Sequence, residues 1–367
     1  MSPTGMPVQA IMEARSPADK RMLSAAIVDE GTPESMEWNR YVLASKDASG
    51  YHLLGWRRVI EESFGHHTCY VAAKDHTGRI RGVLPLVMLA SRLFGKFLVS
   101  VPFLNYGGVV ADDHETVSCL INEAIAQAKR HGARHIEIRN QQSCPVGLPL
   151  SQRKVSMRLD LPREFELLWK QFPSKLRSQI RRAQKENMVV RFGGDECLDD
   201  FYTVFARCMR DLGTPVYSKR FFGTICRQFP KESRICVVSF EGRPVAAGFL
   251  YGFRSVLEIP WAASDKRFNR LAPNMLLYSS ILEHACREGF HVFDFGRSTP
   301  DTGTYRFKEQ WGARPEQLHW YYWMAHGEAI PQLNPHNPKY EMAIKVWRRL
   351  PLVVANWLGP QIVKFLP

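Results

Sequence analysis

The residues that could do chemistry concentrate in one stretch, DFGRSTPDTGTYRFKEQWGARP, which covers residues 294–315. An apolar strand runs into this stretch and a polar loop follows, and α/β proteins commonly place binding and catalytic groups on loops at strand ends. A carboxylate or a tyrosine could accept the proton of an amine nucleophile, so Asp294, Tyr305 and Glu258 are candidate bases. Arg297 could bind a phosphate or a carboxylate, as arginine forks do.

A second candidate site is the start of a helix that the pattern predicts over residues 273–288. Pro273 suits the first turn of a helix, and the free backbone N–H groups there, together with the helix dipole, favour an anion. The residues that could hold this anion are Arg267, Arg270, Ala272 and Asn274, together with Arg297. The alternative is a basic helix cap without a ligand.

A third candidate is a basic helix predicted over residues 174–187. Arg177, Arg181 and Lys185 follow one another at four-residue steps, so they line one face of this helix. That face could contact tRNA or another anionic carrier. A solvated helix face is the alternative.

Composition and charge indicate a globular protein that attracts anions. The chain has 367 residues, 45% of them apolar and 23% charged, with a formal net charge of +13, and charge alone does not select between nucleic acid, anionic substrates and membrane surfaces. The eight cysteines include no C-x-x-C pair. His66 and His67 precede Cys69 without a second ligand cluster at metal-like spacing, so we expect reduced thiols and no metal site. The lack of a secretory signal or a spanning apolar run indicates a cytoplasmic protein.

Two pairs of segments indicate an internal duplication. Residues 120–140 and 279–298 each form an amphipathic helix that ends at a glycine, and an acid follows five residues later, Glu137 in the first and Asp294 in the second. A β-rich hairpin with a Gly-Arg turn precedes each helix, at residues 70–87 and 235–252. Chance similarity of generic α/β segments is the alternative. An acid shared by both copies favours a structural role for Asp294 over a catalytic one.

The predicted fold class is α/β (α+β), with two tandem domains of mixed, largely antiparallel sheets flanked by helices, and a C-terminal helical tail. The predicted divisions are an N-terminal extension at 1–45, a first repeat at 46–155, a second repeat at 156–325, and a linker with an amphipathic tail at 326–367. In the second repeat the predicted strands are 233–240, 245–253, 255–263, 291–295 and 317–323, and the predicted helices are 273–288 and 304–311.

The repeated unit resembles the GNAT acyltransferase fold, and residues 50–323 resemble the tandem GNAT transferases of the FemAB/FemX type. Three segments carry this resemblance: SKLRSQIRRAQKENMVVRF, RFNRLAPNMLLYSSILEHA, and GTYRFKEQWG, which is similar to a Gly-x-x-x-Phe-Lys signature. Segments such as SRLFGKFLVSVPFLNYGGV are similar to a branch associated with exosortase/PEP-CTERM exopolysaccharide systems. The resemblance implies acyl or aminoacyl transfer to an amine by direct attack, in envelope or exopolysaccharide biosynthesis. A catalytically inactive scaffold of such a system is the alternative.

The resemblance also assigns roles to residues. In FemX-like enzymes the Phe-Lys pair lies at the reacting centre, which implies that Lys308, with Phe307, stabilises charge on the transferred carbonyl. The alternative is a surface lysine paired with Glu309. The first repeat lacks this signature, which implies a degenerate copy that binds the acceptor through the loop PFLNYGG, unless that loop is a plain turn. Its candidate residues are Asn105, Tyr106, Gly107 and Gly108.

The implied acyl donor is an aminoacyl-tRNA, an acyl carrier protein or an acyl-CoA, with no metal and no DNA involved. GNAT enzymes hold the pyrophosphate of coenzyme A with Arg or Gln, two residues, Gly, one residue, and Gly or Ala. Arg267 and Ala272 match this pattern, but Arg270 stands where the first glycine belongs. A side chain there would crowd a backbone cradle, so coenzyme A in its usual pose is disfavoured.

The C-terminal tail follows a proline-rich linker, IPQLNPHNPKY. Its apolar residues recur at three- and four-residue steps, at Met342, Val346, Leu350, Val353 and Trp357. Pro351 and Gly359-Pro360 interrupt the pattern, which predicts two short helices and no spanning helix. The apolar stripe could dock on the body of the protein or lie on an anionic membrane surface. The second alternative implies peripheral contact with the inner membrane and would suit a lipid-linked acceptor.

Overall fold

The computed structural model describes residues 23–91, 95–330 and 338–366, which contain two mixed β-sheets covered by helices. The strands of the first sheet are β1 (Ser24–Ile27), β2 (His67–Lys74), β3 (Ile80–Ser91), β4 (Gly95–Ser100), β5 (Val110–Ala111), β6 (His135–Asn140), β7 (Leu150–Ser151) and β15 (His319–Met324). The strands of the second sheet are β8 (Val155–Asp160), β9 (Met188–Gly193), β10 (Ser233–Phe240), β11 (Arg243–Phe253), β12 (Val256–Ser264), β13 (Val292–Ser298) and β14 (Arg314–Gln317).

The helices cover the faces of these sheets. They are α1 (Pro33–Ala44), α2 (Gly55–Phe64), α3 (His114–His131), α4 (Phe165–Gln171), α5 (Ser174–Lys185), α6 (Leu198–Leu212), α7 (Lys219–Gln228), α8 (Pro273–Arg287), α9 (Gly303–Glu309), α10 (Pro338–Trp347) and α11 (Leu352–Val363). The first sheet has the order β1-β2-β3-β4-β6-β15-β7 with β5 beside β3, and the second has the order β14-β8-β13-β12-β11-β10-β9.

Both sheets contain the same connected unit, which confirms the predicted duplication and fold class. Antiparallel strands β2, β3 and β4 precede helix α3 and strand β6, just as β10, β11 and β12 precede α8 and β13. In each copy the helix crosses over to a strand that pairs in parallel, β4 with β6 and β12 with β13. These parallel pairs are short, and the two strands then separate. The cleft between separating strands is the feature of the fold that can admit a substrate.

The C-terminal part of the second repeat completes the first sheet. The strand predicted at 317–323 is β15, which pairs with β6 of the first sheet, whereas β14, which was not predicted, pairs with β8 of the second sheet. At the other end of the chain, β1 pairs with β2, so part of the predicted N-terminal extension belongs to the first sheet. The two repeats are therefore tied together by strand pairing.

A shared aromatic core also joins the repeats. Trp56 of α2 is fully buried, with its ring centroid 5.2 Å from that of Tyr251 in β11 and 5.0 Å from that of Phe229. The Trp56 indole N–H also donates to the Tyr251 hydroxyl at 3.2 Å. Buried aromatic rings contribute large apolar areas and fix their neighbours. Residues of both repeats are thus held in a defined position around the gap between the sheets.

The tail forms the two predicted short helices, α10 and α11, separated by Pro351, and α11 docks on the body. Its inward face carries Ala355 and Gly359, and Gly359 lies so close to Val216 that a side chain there would clash with the Val216 backbone. His66 Nε2 is 2.7 Å from the carbonyl oxygen of Lys364. In the described parts of the chain, no helix combines the length and the apolarity needed to cross a bilayer. The predicted linker falls largely on residues 331–337, outside the described residues.

A candidate active site between the two repeats

Two buried carboxyl groups mark the point where β12 and β13 separate. The parallel register runs from Val256 opposite Val292 to Glu258 opposite Asp294, and no further pairs follow. Glu258 is 6% exposed and Asp294 is 1% exposed. The first repeat has Glu137 at the equivalent place, where β6 leaves β4. The acid that recurs in the sequence therefore occupies the apex of the cleft in both copies.

Asp294 accepts three hydrogen bonds that favour its charged form. Ser156 Oγ donates to Oδ1 at 2.8 Å, the backbone N–H of Gly296 donates to Oδ1 at 2.7 Å, and the Tyr106 hydroxyl donates to Oδ2 at 2.8 Å. The guanidinium of Arg158 lies 3.8 Å away. Burial raises the pKa of Asp294, and these donors oppose that rise. Tyr106, one of the predicted acceptor residues, therefore contacts the apex directly.

Glu258 has fewer donors. Its Oε1 accepts from Asn105 Nδ2, and the Tyr51 hydroxyl lies close by without a well-oriented hydrogen bond. Burial raises the pKa of Glu258 well above its usual range, and the neighbouring Asp294 charge raises it further. Two carboxyl groups this close share one proton in preference to both being charged. Because Asp294 has more donors, the shared proton resides mainly on Glu258.

A β-bulge at Gly296 brings Arg297 to the same face as Asp294. In β13, Asp294 pairs with Arg158 of β8, and Arg297 pairs with Ser156 of β8. An advance of three residues along β13 therefore corresponds to an advance of two residues along β8. Gly296 has a φ of +74°, a conformation that favours glycine. Arg297 Nε consequently donates to Asn105 Oδ1 at 2.7 Å, toward the first repeat.

Lys308 holds the other side of this bulge. Its Nζ donates to the carbonyl oxygen of Gly296 at 3.0 Å and to that of Arg297 at 2.8 Å. Burial lowers the pKa of Lys308 to about 8, although the charges of Asp294 and Glu258 raise it in part. An ammonium group has three N–H donors, so one remains for a substrate oxygen. Lys308 makes no ion pair with Glu309 or another acid in the described residues.

The neighbours of Lys308 in α9 have mainly packing contacts. The ring centroid of Phe307 lies 5.0 Å from that of Tyr278, within the core of the second repeat. Tyr305 also packs against this core, and its hydroxyl has no hydrogen-bond partner in the described residues. Phe307 therefore fixes the helix that carries Lys308, while Tyr305 is not brought to the carboxyl pair.

The predicted donor site at the start of α8 is open and basic. Ala272 precedes the helix with a φ of +53° and no side chain caps the first turn. A cavity of about 420 Å³ lies there, lined by Arg182, Glu186, Arg267, Phe268, Arg270 and Leu271. Arg267 pairs with Asp265, while the Arg270 carbonyl accepts from Arg182 Nη2 at 2.8 Å. Asn274, in the first turn of α8, is half-buried. Arg297, the other predicted donor residue, instead faces the first repeat.

The basic face of α5 makes no ion pair with the described residues. Arg181 and Lys185 are exposed, Arg177 is half-buried, and none of the three makes an ion pair with a described residue. Arg181 lies over the ring of Trp169 at 5.6 Å. The opposite face of α5 packs into the core, and Arg182 of α5 and Glu186, which follows the end of this helix, line the α8 cavity.

In the first repeat, side chains of β6 bond to the backbone of the loop between β4 and β5. Asn140 of β6 makes two hydrogen bonds to the backbone of Val109, at 3.1 and 3.2 Å, and Arg139 Nη1 donates to the Leu104 carbonyl at 3.0 Å. A side chain at Gly108 would overlap Asn140. A cavity of about 260 Å³ remains beside Gly107 and Gly108. Of the loop residues, Asn105 and Tyr106 contact the second repeat, whereas Gly107 and Gly108 pack closely within the first repeat.

Several site residues escaped prediction from the sequence. They are Tyr51, Arg139, Ser156, Arg158 and Arg182. The sequences of β6 and β8 are typical of core strands, but polar residues alternate with apolar ones in both. This alternation is the sequence pattern from which the polar site residues of these strands could have been identified.

A second cluster contains side chains that could bind a metal ion. The ligand atoms of His67, Cys69 and His131 all lie within 4.8 Å of one another. Sequence spacing provided only the first two, because His131 comes from the end of α3. Burial raises the pKa of the Cys69 thiol to about 11, which opposes the thiolate that a metal requires.

Comparison with known proteins is consistent with the resemblance to GNAT transferases. Residues 170–309 match the family model described as an acetyltransferase (GNAT) domain. FemX is similar in structure, with a TM-score of 0.63 and 15% identity, over 81% of this chain and 97% of that chain. A tandem GNAT protein from the clavulanic acid biosynthesis pathway has a TM-score of 0.55 and 14% identity, over 84% of this chain and 100% of that one.

L-PGS from Bacillus licheniformis is also similar, with a TM-score of 0.50 and 12% identity, over 80% of this chain and 96% of that chain. A search of curated proteins finds no sequence match. Residues 170–309 are therefore similar to an acetyltransferase (GNAT) domain, and the described chain has a tandem GNAT fold like that of FemX.

Proposed function

We propose that the protein transfers an acyl or aminoacyl group to an amine acceptor, with the reaction at the apex of the cleft in the second repeat. The observation that carries this proposal is the pair Glu258 and Asp294, buried where β12 and β13 separate and bonded to a loop of the first repeat. Lys308 lies beside this apex, and its Nζ bonds to the carbonyl oxygens of Gly296 and Arg297. The site thus has a base, a cation and a contact to the acceptor half.

In the proposed reaction, the amine nitrogen attacks the carbonyl carbon of the ester or thioester donor. Glu258, as the carboxylate, accepts the proton that the amine loses, and its raised pKa makes it a suitable base near neutral pH. The third N–H of Lys308 stabilises the oxyanion that forms. The intermediate then expels the alcohol or thiol of the carrier, which takes up one proton, and the amide remains on the acceptor.

The donor is an aminoacyl-tRNA, an acyl carrier protein or an acyl-CoA. The uncapped start of α8 and the basic residues around it suit a phosphate of any of these. The side chain at Arg270 and the bond from Arg182 to its carbonyl disfavour the usual coenzyme A pose. The basic face of Arg177, Arg181 and Lys185 favours a large anionic carrier.

The acceptor is a small-molecule or lipid-linked amine in envelope or exopolysaccharide biosynthesis, in line with the resemblance to the exosortase-associated branch. The outward face of the docked tail supports contact with a membrane. Val353 is 81% exposed and Trp357 is 72% exposed, while Lys345, Arg348 and Arg349 supply positive charge around them. An apolar stripe with basic flanks binds anionic membrane surfaces. The protein would then act in the cytoplasm, at the inner membrane.

The proposal is tested by offering the purified protein labelled aminoacyl-tRNA, acyl carrier protein and acyl-CoA in turn, with an extract of envelope precursors as the acceptor pool. We expect transfer of label to an amine from at least one donor, and loss of this transfer in Lys308→Met. The alternative, an inactive scaffold, is favoured by the two backbone carbonyls that already occupy Lys308. An absence of transfer from every donor would support the scaffold.

A further inference from the structure

We infer that His67, Cys69 and His131 form a binding site for Zn²⁺ in the first repeat. Their ligand atoms, two imidazole nitrogens and one thiol sulfur, all lie within 4.8 Å of one another. Around a tetrahedral Zn²⁺ ion the ligand atoms are about 3.3–3.8 Å apart, so small rotations of these side chains complete the site. The inference does not rest on the proposed function, because none of these residues belongs to the carboxyl pair or to its hydrogen-bond partners.

Two elements of the first repeat bring the three side chains together. His67 and Cys69 are two residues apart in β2, so they lie on the same face of this strand. That face packs against α3, since Cys69 shares a core cluster with Ala128 of this helix. His131 is the last residue of α3, and Gly132 ends the helix with a φ of +65°. A metal ion bound here would join the end of α3 to the start of β2.

The three ligand groups have no competing partner among the described residues. No side-chain hydrogen bond or ion pair of His67, Cys69 or His131 is formed there, and the thiol is not part of a disulfide. The ring centroids of the two histidines lie 5.3 Å apart. Cys69 is fully buried, whereas His67 is exposed, so the metal ion has a route from solvent to the thiol.

The types of ligand select the metal. Imidazole nitrogen and thiolate sulfur suit Zn²⁺, whereas Mg²⁺ and Ca²⁺ require oxygen ligands, and no carboxylate belongs to the cluster. Burial lowers the pKa of His131, and the charges of His67, Arg130 and Lys96 lower it further, so its ring is neutral and can donate a lone pair. The carbonyl end of α3 also favours a cation through the helix dipole. Three protein ligands leave a fourth position for water.

Zinc binding requires that the Cys69 thiol lose its proton. Burial raises the pKa of this thiol to about 11, while the charges of Arg57 and Arg130 oppose the rise. A coordinated metal ion overcomes such a shift, because a thiol bound to it is deprotonated outright. The S–H proton passes to the buffer as the Zn–S bond forms. The loss of this proton and the repulsion from Arg130 weaken the affinity, so we expect a Kd of about 1 μM or tighter.

Zinc titration of the full chain without a histidine tag, in competition with a chromogenic chelator, tests the inference without any transfer step. We expect one Zn²⁺ per chain, the release of about one proton, and a rise of several degrees in the thermal midpoint when zinc is in excess. Co²⁺ serves as the spectroscopic probe. It should give a thiolate-to-cobalt charge-transfer band in the near ultraviolet and the visible bands of a tetrahedral ion.

Variants assign the ligands. His67→Gln changes an exposed side chain, so the fold should persist, and we expect it to weaken zinc binding by about tenfold or more. His131→Gln should have the same effect, and Cys69→Ser should abolish the charge-transfer band. The matched controls are His76→Gln, at an exposed histidine in the turn after β2, and Cys144→Ser, at a half-buried thiol outside the cluster. Both controls should bind zinc like the wild type.

A Kd weaken than about 10 μM for the wild type would overturn the site. A Co²⁺ complex without the thiolate band would also overturn it, because the sulfur would then not be a ligand. The inference is equally wrong if His67→Gln binds zinc as tightly as the wild type. A loss in His76→Gln as large as that in His67→Gln would assign the binding to surface histidines in general.

Discussion

Glu258 and Asp294 are the last paired residues of β12 and β13, and their buried carboxyl groups receive different numbers of hydrogen bonds. Asp294 accepts from three donors, whereas Glu258 accepts one well-oriented bond, from Asn105. Unequal environments separate the proton affinities of two neighbouring acids, which assigns them different roles. We therefore propose that Asp294 is the charged, structural partner and that Glu258 is the partner that exchanges a proton.

The first prediction concerns the stability of Glu258→Gln. The folded state raises the pKa of Glu258 above its unfolded value of 4.5, so the folded chain binds this proton more tightly. Wild-type stability should therefore fall as the pH rises from about 4.5 toward the raised pKa. Glutamine removes this loss, and we expect the variant to be more stable than the wild type by roughly 1–3 kcal/mol near pH 7. Urea unfolding at several pH values measures the difference.

Asp294→Asn is the matched comparison for this measurement. Because the pKa of Asp294 is raised, asparagine also removes a pH-dependent loss of stability. The donors of Ser156, Tyr106 and Gly296 then face an amide, however, so we expect Asp294→Asn to be less stable than Glu258→Gln by about 1–3 kcal/mol near pH 7. If Glu258→Gln is instead the less stable variant near pH 7, Glu258 is the charged partner and the roles must be exchanged.

The second prediction concerns Lys308→Met. Methionine keeps much of the side-chain volume, so the fold should persist, while loss of the oxyanion donor should lower turnover by about 10²-fold. Lys266→Met, on an exposed lysine in the loop before α8, is the control and should retain activity. Turnover rates with saturating donor measure both. Equal turnover in the wild type and Lys308→Met would restrict Lys308 to holding the bulge.

The third prediction concerns the bridge between the repeats. Asn105→Ala leaves Glu258 and Arg297 without their shared partner, so we expect a loss of about 1–3 kcal/mol in unfolding free energy and a loss of activity. Asn269→Ala, at an exposed position, should be neutral in both respects. Denaturant unfolding and turnover check the pair. A neutral Asn105→Ala would show that the bridge from Glu258 through Asn105 to Arg297 does not organise the apex.

The fourth prediction concerns the tail. The double variant Val353→Gln, Trp357→Gln changes only the outward face of α11 and leaves the docked face intact. The wild type should co-sediment with anionic vesicles at low salt, whereas this variant and a chain ending at Gly327 should not. Neutral vesicles provide the control. If the double variant sediments with anionic vesicles like the wild type, this face does not contact membranes.

The sequence predicted the repeated unit well, because hairpin turns, helix ends and the recurring acid are local signals. The strand after Gly289 and the helix from Pro273 lie close to their expected positions. The pairing of β15 with the first sheet could not be predicted, since strand partners depend on tertiary packing that local patterns do not encode. The domain ranges drawn from the sequence stay a prediction.

The residues of the candidate site could also be predicted where local motifs marked them, but not where their position depends on tertiary structure. Asp294, Lys308, Asn105 and Tyr106 were proposed from motifs and lie together in the structure. The orientation of Arg297 toward the first repeat depends on a bulge, and a single extra residue in a strand reverses the face of every residue after it. Arg297 was accordingly expected at the donor, whereas it contacts Asn105 of the first repeat.

The most direct test of the reacting centre is the pH dependence of a single-turnover transfer rate in the wild type and in Glu258→Gln. In the wild type we expect the rate to rise as Glu258 loses its proton and to fall above about pH 8 as Lys308 loses its own. In Glu258→Gln we expect a rate lower by about 10²-fold or more with no rising limb. A variant that keeps the wild-type rate and the wild-type pH profile would contradict the assignment of Glu258 as the base.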